Sequence, residues 1–210
     1  MASIKILSGY IGYQEALRMQ EEQAVALIDG TGEEQIFLLE HEPVYTIGRL
    51  RDQSSLGTAA EMPYPVFEIS RGGQATYHGP GQWVGYPILD LTKRGRDLHG
   101  YLRGIEASLI EMCRTFGVMA ERRDGFTGVW VGQQKLASIG VGVRKWVTQH
   151  GFAINIMPES LPPFLAITPC GLAGVSMTCL ADETDMPISM AQVADVLGAV
   201  LSAEFSPNAT

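Results

Sequence analysis

The chain is poor in cysteine, in charge and in long hydrophobic runs, and each shortage excludes a class of protein. Its 210 residues include three cysteines, with no paired C-x-x-C spacing, so reduced thiols fit better than a disulfide framework. Charged residues make up 18% and the net charge is −8, which argues against nonspecific binding to nucleic acid or to an anionic membrane. No apolar run reaches the roughly 18 residues of a membrane span, and the N-terminus lacks a secretory pattern. We therefore expect a cytoplasmic protein that binds neither nucleic acid nor membrane.

Low-complexity sequence and internal repeats are also missing. The 24 glycines and 11 prolines are spread along the chain, and hydrophobic residues make up 46%, which is enough for an ample core. Pro158, Pro162 and Pro163 indicate a loop and not a domain boundary, because too few residues follow for a second core. The sequence therefore predicts one domain, residues 1–210.

Helical and strand periodicities alternate along the chain. Helical spacing predicts three helices, over Tyr13–Ile28, Asp97–Phe116 and Ser189–Phe205. Strand patterns cover 35–47, 65–70, 83–91, a hairpin over 128–143 that turns at 132–134, and 146–156. These elements predict an α+β fold, a mixed or antiparallel β-sheet flanked by helices. The tryptophans on the predicted strands are expected in the core: Trp83, Trp130 and Trp146.

One segment of sixteen residues, 71–86, has the composition of a ligand-binding loop. It reads R-G-G-Q-A-T-Y-H-G-P-G-Q-W-V-G-Y and contains five glycines, one proline, one arginine and one histidine. This composition excludes a helix and is richer in glycine than a regular strand tolerates. Because glycine lets the main chain come close to a ligand, we expect this segment to bind a substrate through its backbone.

Lys135 stands at the start of the second strand of the predicted hairpin. Side-chain alternation puts it on the same side as Ala137, Ile139 and Val141, which is the more apolar face. A lysine turned toward a core is desolvated, which lowers the pKa of its ammonium and suits it to proton transfer or to pairing with an anion. The alternative is a strand-end lysine whose amine reaches solvent.

Cys170 lies between a proline and a glycine, on a predicted turn where a thiol can be presented to a substrate. A free thiol is only a few per cent ionised at neutral pH, but an ammonium that lowers its pKa by roughly two units would make most of it thiolate. Lys135 and Cys170 are therefore a workable base and nucleophile. The alternative is a small buried residue, which is what we expect of Cys113 and Cys179.

Five motifs, in this order, resemble the lipoyl(octanoyl) transferase family. They are H-E-P-V-Y-T-I-G-R (41–49), the glycine-rich segment 71–86, K-L-A-S-I-G (135–140), T-Q-H-G-F-A-I-N (148–155) and P-C-G-L (169–172). The motifs span about two-thirds of the chain, and no motif position departs from the family pattern. The resemblance implies the single-domain fold shared by biotin and lipoate ligases.

The resemblance also implies a reaction, its partners and its site. An octanoyl group would pass from octanoyl-acyl carrier protein to a thioester on Cys170, and then to a lysine of a lipoyl domain. The acceptors would be 2-oxo acid dehydrogenase complexes and the glycine cleavage H protein, and Lys135 would activate the cysteine. No cofactor and no metal would be needed. The implied substrate-binding residues are Arg71, Gly72, Gly73, Gln74, Ala75, Thr76, Tyr77, His78, Ser138, Ile139, Gly140, His150, Gly151, Phe152 and Ala153.

Three alternatives stay open. An ATP-dependent lipoate or octanoate ligase would share the fold, although the chain lacks a G-x-x-x-x-G-K-[ST] loop and such ligases need no cysteine nucleophile. A metal site built from His41, His78, His150 and Cys170 is conceivable, but no pair has a compact ligand spacing. A non-catalytic module would bind an acyl carrier or a lipoyl domain without turnover. His78 and His150 either orient the thioester or the incoming lysine, or only satisfy the backbone.

Overall fold

The computed structural model describes residues 2–48, 62–167 and 175–206. The strands in these ranges are β1 (Ser3–Ile11), β2 (Gln35–His41), β3 (Val44–Ile47), β4 (Val66–Glu68), β5 (Thr76–His78), β6 (Gln82–Ile88), β7 (Glu121–Arg123), β8 (Phe126–Val131), β9 (Gln134–Arg144) and β10 (Val147–Asn155). The α-helices are α1 (Tyr13–Ile28), α2 (Leu98–Thr115), α3 (Leu180–Glu183) and α4 (Met190–Glu204).

A mixed sheet of seven strands, in the order β1-β2-β6-β10-β9-β8-β7, forms the centre of the fold. Strand β1 pairs parallel with β2, and the other neighbours pair antiparallel. A second sheet of three strands has the order β4-β3-β5. This architecture, with helices packed on the large sheet, confirms the predicted α+β class.

Strand β2 shows why the large sheet is covered on both faces. Ile36 and Leu38 pack in a cluster with residues of α2 and α4, whereas Phe37 and Leu39 pack in a cluster with residues of α1. Side chains alternate along a strand, so four consecutive apolar residues are buried on two faces. Each contributes about 1.5–3 kcal/mol by leaving water, and this two-sided burial holds the central strands firmly in place.

The three predicted helices are observed with bounds that agree within one residue. Helix α2 begins after Asp97, whose carboxylate accepts a hydrogen bond from the amide of Gly100 at 2.8 Å. The hydroxyl of Ser189 accepts the amide of Gln192 in the same way at the start of α4. These side chains satisfy amides that have no partner inside the helix, which is why their positions mark the helix starts.

The structure departs from the sequence predictions in several places. Residues 76–78 of the glycine-rich segment form strand β5, because this part contains no glycine and pairs with β3. Strands β1 and β7 lie outside the predicted strands, and the strand predicted over 35–47 is divided into β2 and β3. Trp83 and Trp130 are buried as expected, but the core prediction for Trp146 is wrong, since its side chain is 39% exposed. Lys145 and Trp146 form the tight turn between β9 and β10, with φ angles of 51° and 67°. Trp146 is exposed because the residues of this turn project beyond the end of the sheet.

Candidate active site

The glycine-rich segment lies against strand β9 through contacts that only glycine allows. The amide of Gly72 donates to the carbonyl of Val141 at 3.0 Å. A Cβ atom at Gly140 would lie 3.0 Å from both Arg71 Cδ and the Gly72 carbonyl oxygen. Glycine inside a strand often marks such a close approach of another backbone. The close approach of the main chain that these glycines allow therefore joins the glycine-rich segment to strand β9.

A narrow space lies beside this contact, and we call it the enclosed cavity. The centre of a water molecule can reach a volume of about 40 Å³ within it. Most of the predicted substrate-binding residues line it: Arg71, Gly73, Gln74, Thr76, His78, Ser138, Ile139, Gly140, His150, Gly151, Phe152 and Ala153. Strands β9 and β10 form a hairpin, and the glycine-rich segment, which is distant from them in sequence, lies against β9.

Three predicted substrate-binding residues lie elsewhere. Ala75 and Tyr77 are buried in a separate hydrophobic cluster that includes Tyr45 and Phe164. Gly72 lines a second space, the lysine groove, and not the enclosed cavity. Strand alternation explains the first two, because successive residues of β5 point to opposite faces and only one face meets the cavity.

The lysine groove is a more open depression that contains Lys135. Its lining residues are Gly72, Gly73, Leu102, Gly125, Phe126, Thr127, Lys135, Ile139, Gly140 and Val141. Gly73, Ile139 and Gly140 line the enclosed cavity as well, so the two spaces adjoin. These three residues therefore form a wall common to both spaces.

Lys135 is buried, with 2% of its surface exposed, which excludes the alternative of a strand-end lysine whose amine reaches solvent. Its ammonium nitrogen lies 5.5 Å from the centre of the Trp130 ring, within the range of a cation–π contact. A Cβ atom at Gly128 would come within 2.9 Å of Lys135 Cε. Only glycine at position 128 leaves room for the lysine side chain.

A buried carboxylate holds Gly128 in place. Glu106 accepts a hydrogen bond from the amide of Gly128 at 3.1 Å, and it pairs with Arg103 and Arg122 at 2.6 and 3.1 Å. Because Gly128 adopts a φ angle of 135°, which side chains rarely allow, this anchoring fixes an otherwise strained turn of backbone. Glu106 thereby supports the wall around Lys135.

The main chain of Lys135 is joined to residues that follow the second gap in the described ranges. Its amide donates to the carbonyl of Ser176 at 2.9 Å, and its carbonyl accepts the amide of Thr178 at 3.0 Å. Cys170, the predicted nucleophile, lies outside the described residues, so its distance from the lysine stays a prediction.

The other two cysteines are structural, as expected. Cys113 and Cys179 are fully buried, and burial raises the pKa of each thiol to about 12. At neutral pH only roughly one molecule in 10⁵ would carry a thiolate at either position. Neither is suited to nucleophilic attack.

Arg71 ties the glycine-rich segment to strand β3. Its guanidinium donates to the carbonyl and the hydroxyl of Thr46 at 3.0 and 2.9 Å, and to the carbonyl of Gly72 at 2.9 Å. Rigid planar donors of this kind hold fixed geometry well. Arg71 therefore shapes the cavity that it also lines.

Two buried histidines carry no charge at neutral pH. Burial lowers the pKa of His41 to about 4. Burial also lowers the pKa of His78 well below its usual value, and the neighbouring His41 adds to this effect. His41 Nδ1 lies 2.9 Å from the carbonyl oxygen of Ile11, and its Nε2 lies 2.7 Å from the hydroxyl of Tyr86. Because a carbonyl only accepts, Nδ1 carries the proton and Tyr86 donates to Nε2.

His150 is held in a strained backbone conformation at the cavity wall. Its φ angle is 58°, although it lies within strand β10, and a left-handed residue other than glycine costs roughly 1–3 kcal/mol. The side-chain oxygen of Gln20 accepts its amide at 2.9 Å. Such strain persists where the surrounding structure enforces it, and it is concentrated at functional sites.

Several cavity or support residues escape the sequence analysis: Tyr13, Gln20, Tyr86 and Glu106. In the sequence, Tyr86 is only the last residue of the glycine-rich segment, and Tyr13 is only one apolar position of a predicted helix. Gln20 gives the clearest signal, because it is a polar residue on the buried stripe of α1, together with Ala16 and Ala24. A polar residue in such a place needs a buried partner.

Two kinds of site find no support in the described residues. Within them no helix is long and apolar enough to cross a membrane. No group of three or more His, Cys, Asp or Glu side chains in these same ranges is arranged to hold a metal ion.

Comparison with known proteins agrees with this architecture. Residues 12–202 match the family described as the lipoyl protein ligase A/B catalytic domain. An octanoyltransferase of Citrifermentans bemidjiense is 54% identical over 83% of this chain and 83% of its own. An octanoyltransferase of Geotalea uraniireducens is 51% identical over 91% of this chain and 87% of its own. The structure of Ta0514, a putative lipoate protein ligase from T. acidophilum, superposes with a TM-score of 0.71 at 16% identity, over 97% of this chain and 85% of that one. The structural likeness confirms the predicted fold.

Proposed function

Because this chain belongs to the family of lipoyl protein ligase A/B catalytic domains and is an octanoyltransferase of protein lipoylation, we propose a route through a cysteine thioester. The octanoyl group comes from octanoyl-acyl carrier protein and is held on Cys170. It then passes to a lysine of a lipoyl domain, in the 2-oxo acid dehydrogenase complexes and the glycine cleavage H protein.

The observation that carries this proposal is the burial of Lys135 in a groove that adjoins the enclosed cavity. A buried amine beside a substrate space is placed to exchange protons with a substrate bound there. Gly128 and Trp130 lie beside the Lys135 side chain, and Glu106 holds Gly128 in place; none of the three lines the enclosed cavity. The groove therefore supplies a proton carrier next to a binding space.

In the first step, Lys135 takes the proton of the Cys170 thiol, and the thiolate attacks the carbonyl carbon of the carrier thioester. The carbonyl–sulfur bond to the carrier breaks, and the departing thiolate takes the proton from Lys135. One thioester replaces another, so the step is nearly isoenergetic and needs no ATP. Burial keeps Cys113 and Cys179 protonated, which leaves them out of this reaction.

In the second step, the neutral amine of the acceptor lysine attacks the thioester on Cys170. A new carbon–nitrogen bond forms, and the carbon–sulfur bond breaks. Lys135 takes a proton from the attacking nitrogen and returns it to the cysteine thiolate. The product is an amide, whose stability drives the transfer forward.

The enclosed cavity is suited to an unbranched acyl chain. It is narrow, and its His78 is uncharged at neutral pH. Burying the roughly seven methylene units of an octanoyl tail contributes about 5 kcal/mol at about 0.8 kcal/mol each. A chain too long for a rigid cavity is penalised more steeply than one that is too short.

The test is intact mass spectrometry after the protein is incubated with octanoyl-loaded carrier protein and no acceptor. We expect one added octanoyl group, located at Cys170 by peptide mapping, and no adduct in Cys170→Ala. The matched controls Cys113→Ala and Cys179→Ala should acquire the group normally. An adduct on either of those two residues contradicts the proposal, and so does a Cys170→Ser variant with full activity that depends on ATP, as expected of a ligase.

A further inference from the structure

Four buried groups form an unbroken line of hydrogen bonds that ends at the enclosed cavity. His78 Nδ1 lies 2.8 Å from Gln82 Oε1, Gln82 Nε2 lies 2.9 Å from Asn155 Oδ1, and Asn155 Nδ2 lies 3.0 Å from the carbonyl oxygen of Thr178. All four residues are at least 90% buried. The glycine turn 79–81 brings His78 and Gln82 together, and Gln82 pairs with Asn155 across β6 and β10.

The chemistry of the groups gives this line one direction. The carbonyl of Thr178 can only accept, so Asn155 must present its NH₂ group there and its oxygen to Gln82. Gln82 must then donate with its NH₂ group and accept with its oxygen. The proton in the last bond therefore belongs to His78 Nδ1. Turning either amide over would set two acceptors or two donors against each other, which is costly in a buried place.

The other nitrogen of the ring, Nε2, is left as an acceptor, and His78 is one of the residues that line the enclosed cavity. It makes no hydrogen bond to any residue in the described ranges. Two hydroxyls of the same cavity, Thr76 Oγ1 and Ser138 Oγ, are buried and also lack a partner within those ranges. Buried polar atoms in native proteins normally have partners. Together these three atoms indicate that a polar group of the substrate enters the cavity along with the aliphatic tail.

We propose that Gln82 and Asn155 are positioning residues that hold His78 as its Nδ1–H tautomer, so that Nε2 accepts a hydrogen bond from an N–H group of the bound substrate. This use of the tautomer rests on the proposed function, because it is the octanoyl donor and the lysine acceptor that supply an N–H group.

The surroundings of His78 keep the ring neutral, which the acceptor role requires. Tyr13 on α1 and His41 on β2 pack against it without a negative charge, and Tyr86 on β6 packs in turn against His41. Arg71 and His150 are the other titratable groups whose electrostatic effect reaches it, and both oppose a second positive charge. A neutral ring with Nδ1 protonated has a free lone pair on Nε2.

The same line of hydrogen bonds reaches the catalytic lysine. The amide of Thr178, whose carbonyl anchors Asn155, donates to the carbonyl of Lys135 at 3.0 Å. Two amide side chains therefore link the acceptor in the enclosed cavity to the strand that carries Lys135.

The tautomer is tested first, by ¹⁵N NMR of the histidine rings in the full-length protein without substrate. His78→Gln identifies the His78 signals by their absence. We expect a protonated Nδ1 and an unprotonated Nε2 between pH 6 and 8, and a change of protonation site in Gln82→Met, which keeps the side-chain length but removes the amide. An unprotonated Nδ1 or a doubly protonated ring in the native protein overturns the proposal.

Kinetics then measure what the tautomer contributes. We expect Gln82→Met and Asn155→Leu each to slow octanoyl transfer by about tenfold, since a lost hydrogen bond is worth about this much, and the double variant to be no slower than the singles. Ser108→Ala is the control, because it removes a buried hydroxyl that bonds to Gly104 in α2, remote from the cavity. Rates of Gln82→Met within twofold of native, or an equal loss in Ser108→Ala, overturn the proposal.

Two assays distinguish the sources of the N–H group. Acyl-enzyme formation is measured with octanoyl-N-acetylcysteamine, which has an amide, and with S-ethyl thiooctanoate, which has none. Transfer from preformed acyl-enzyme to a lipoyl domain is measured separately. A Gln82→Met defect confined to the amide-bearing donor assigns the bond to the donor, whereas a defect in the transfer assigns it to the amine. If the native enzyme forms no adduct on Cys170 the proposed function fails, while the NMR result stands independently.

Discussion

The enclosed cavity and the lysine groove share a wall of glycines but differ in charge, shape and construction. The cavity is narrow, and the side chain of its His78 is neutral and held by a directed hydrogen bond to Gln82. The groove is open, and it presents a single buried amine beside an aromatic ring. Gly73, Ile139 and Gly140 form the wall common to both.

In the proposed mechanism, this difference separates substrate binding from proton transfer. The charged residue that lines the cavity, Arg71, has its guanidinium fixed by hydrogen bonds to Thr46 and Gly72, whereas a proton carrier must be able to gain and lose its charge. The wall common to both spaces lies between the two functions. The reacting carbonyl can then lie at the junction.

The largest expected effect comes from removing the amine of the groove. We expect Lys135→Met to lower kcat by about a thousandfold, in the range for loss of an acid–base group, while KM for the octanoyl donor changes only a few-fold. Steady-state kinetics with octanoyl-loaded carrier protein measure both constants. Lys93→Met, at an exposed lysine, is the matched control and should behave as the native protein. A loss of less than tenfold would place proton transfer elsewhere.

The cavity side should be the more sensitive to acid. Below pH 6.5 an unfolded chain binds a proton at His41, whereas the folded protein does not until about pH 4. The contribution of His41 to the free energy of unfolding is therefore fully present above pH 6.5. It is lost as the pH drops toward 4, by about 3 kcal/mol for this one group. His78 acts in the same direction. Urea unfolding at several pH values measures the slope.

Two variants sharpen this acid test. His41→Gln should flatten the dependence of unfolding free energy on pH between 6.5 and 4. His99→Gln, at an exposed histidine on α2, should leave the slope as it is. Equal slopes in the two variants would show that the buried ring is not the source.

The smallest effect concerns the strained backbone at His150. Glycine adopts its φ angle of 58° freely and alanine does not, so we expect His150→Gly to be about 1 kcal/mol more stable than His150→Ala. This order is the reverse of that in an ordinary strand, where glycine is the weaker residue. Both variants lose the imidazole and should lose activity to a similar degree. Chemical denaturation compares the pair, and an Ala variant of equal or greater stability would show that the strain has been relieved.

Predictions from local patterns succeeded where the cause is local. Helix α1 has the predicted bounds, because the apolar residues that define it lie close together in sequence, in consecutive turns of the helix. Trp146 shows the limit of such patterns, since a strand-like sequence does not reveal that the chain turns at Lys145. Gln20 shows another, because its partner, the amide of His150, lies 130 positions away.

The amino-acid order by itself determined the α+β class, the helices, the glycine-rich segment and the choice of Lys135 as an unusual lysine, because each depends on the spacing or composition of neighbouring residues. Only the tertiary structure decided that Lys135 is buried, that two adjoining spaces exist, and that His78 carries its proton on Nδ1. These properties arise from strand register and from contacts between distant segments, such as Asn155 with Thr178 and Gln82 with Asn155. Lys135 is removed from water, and the hydrogen bonds of His78 acquire their direction, only after those segments have come into contact.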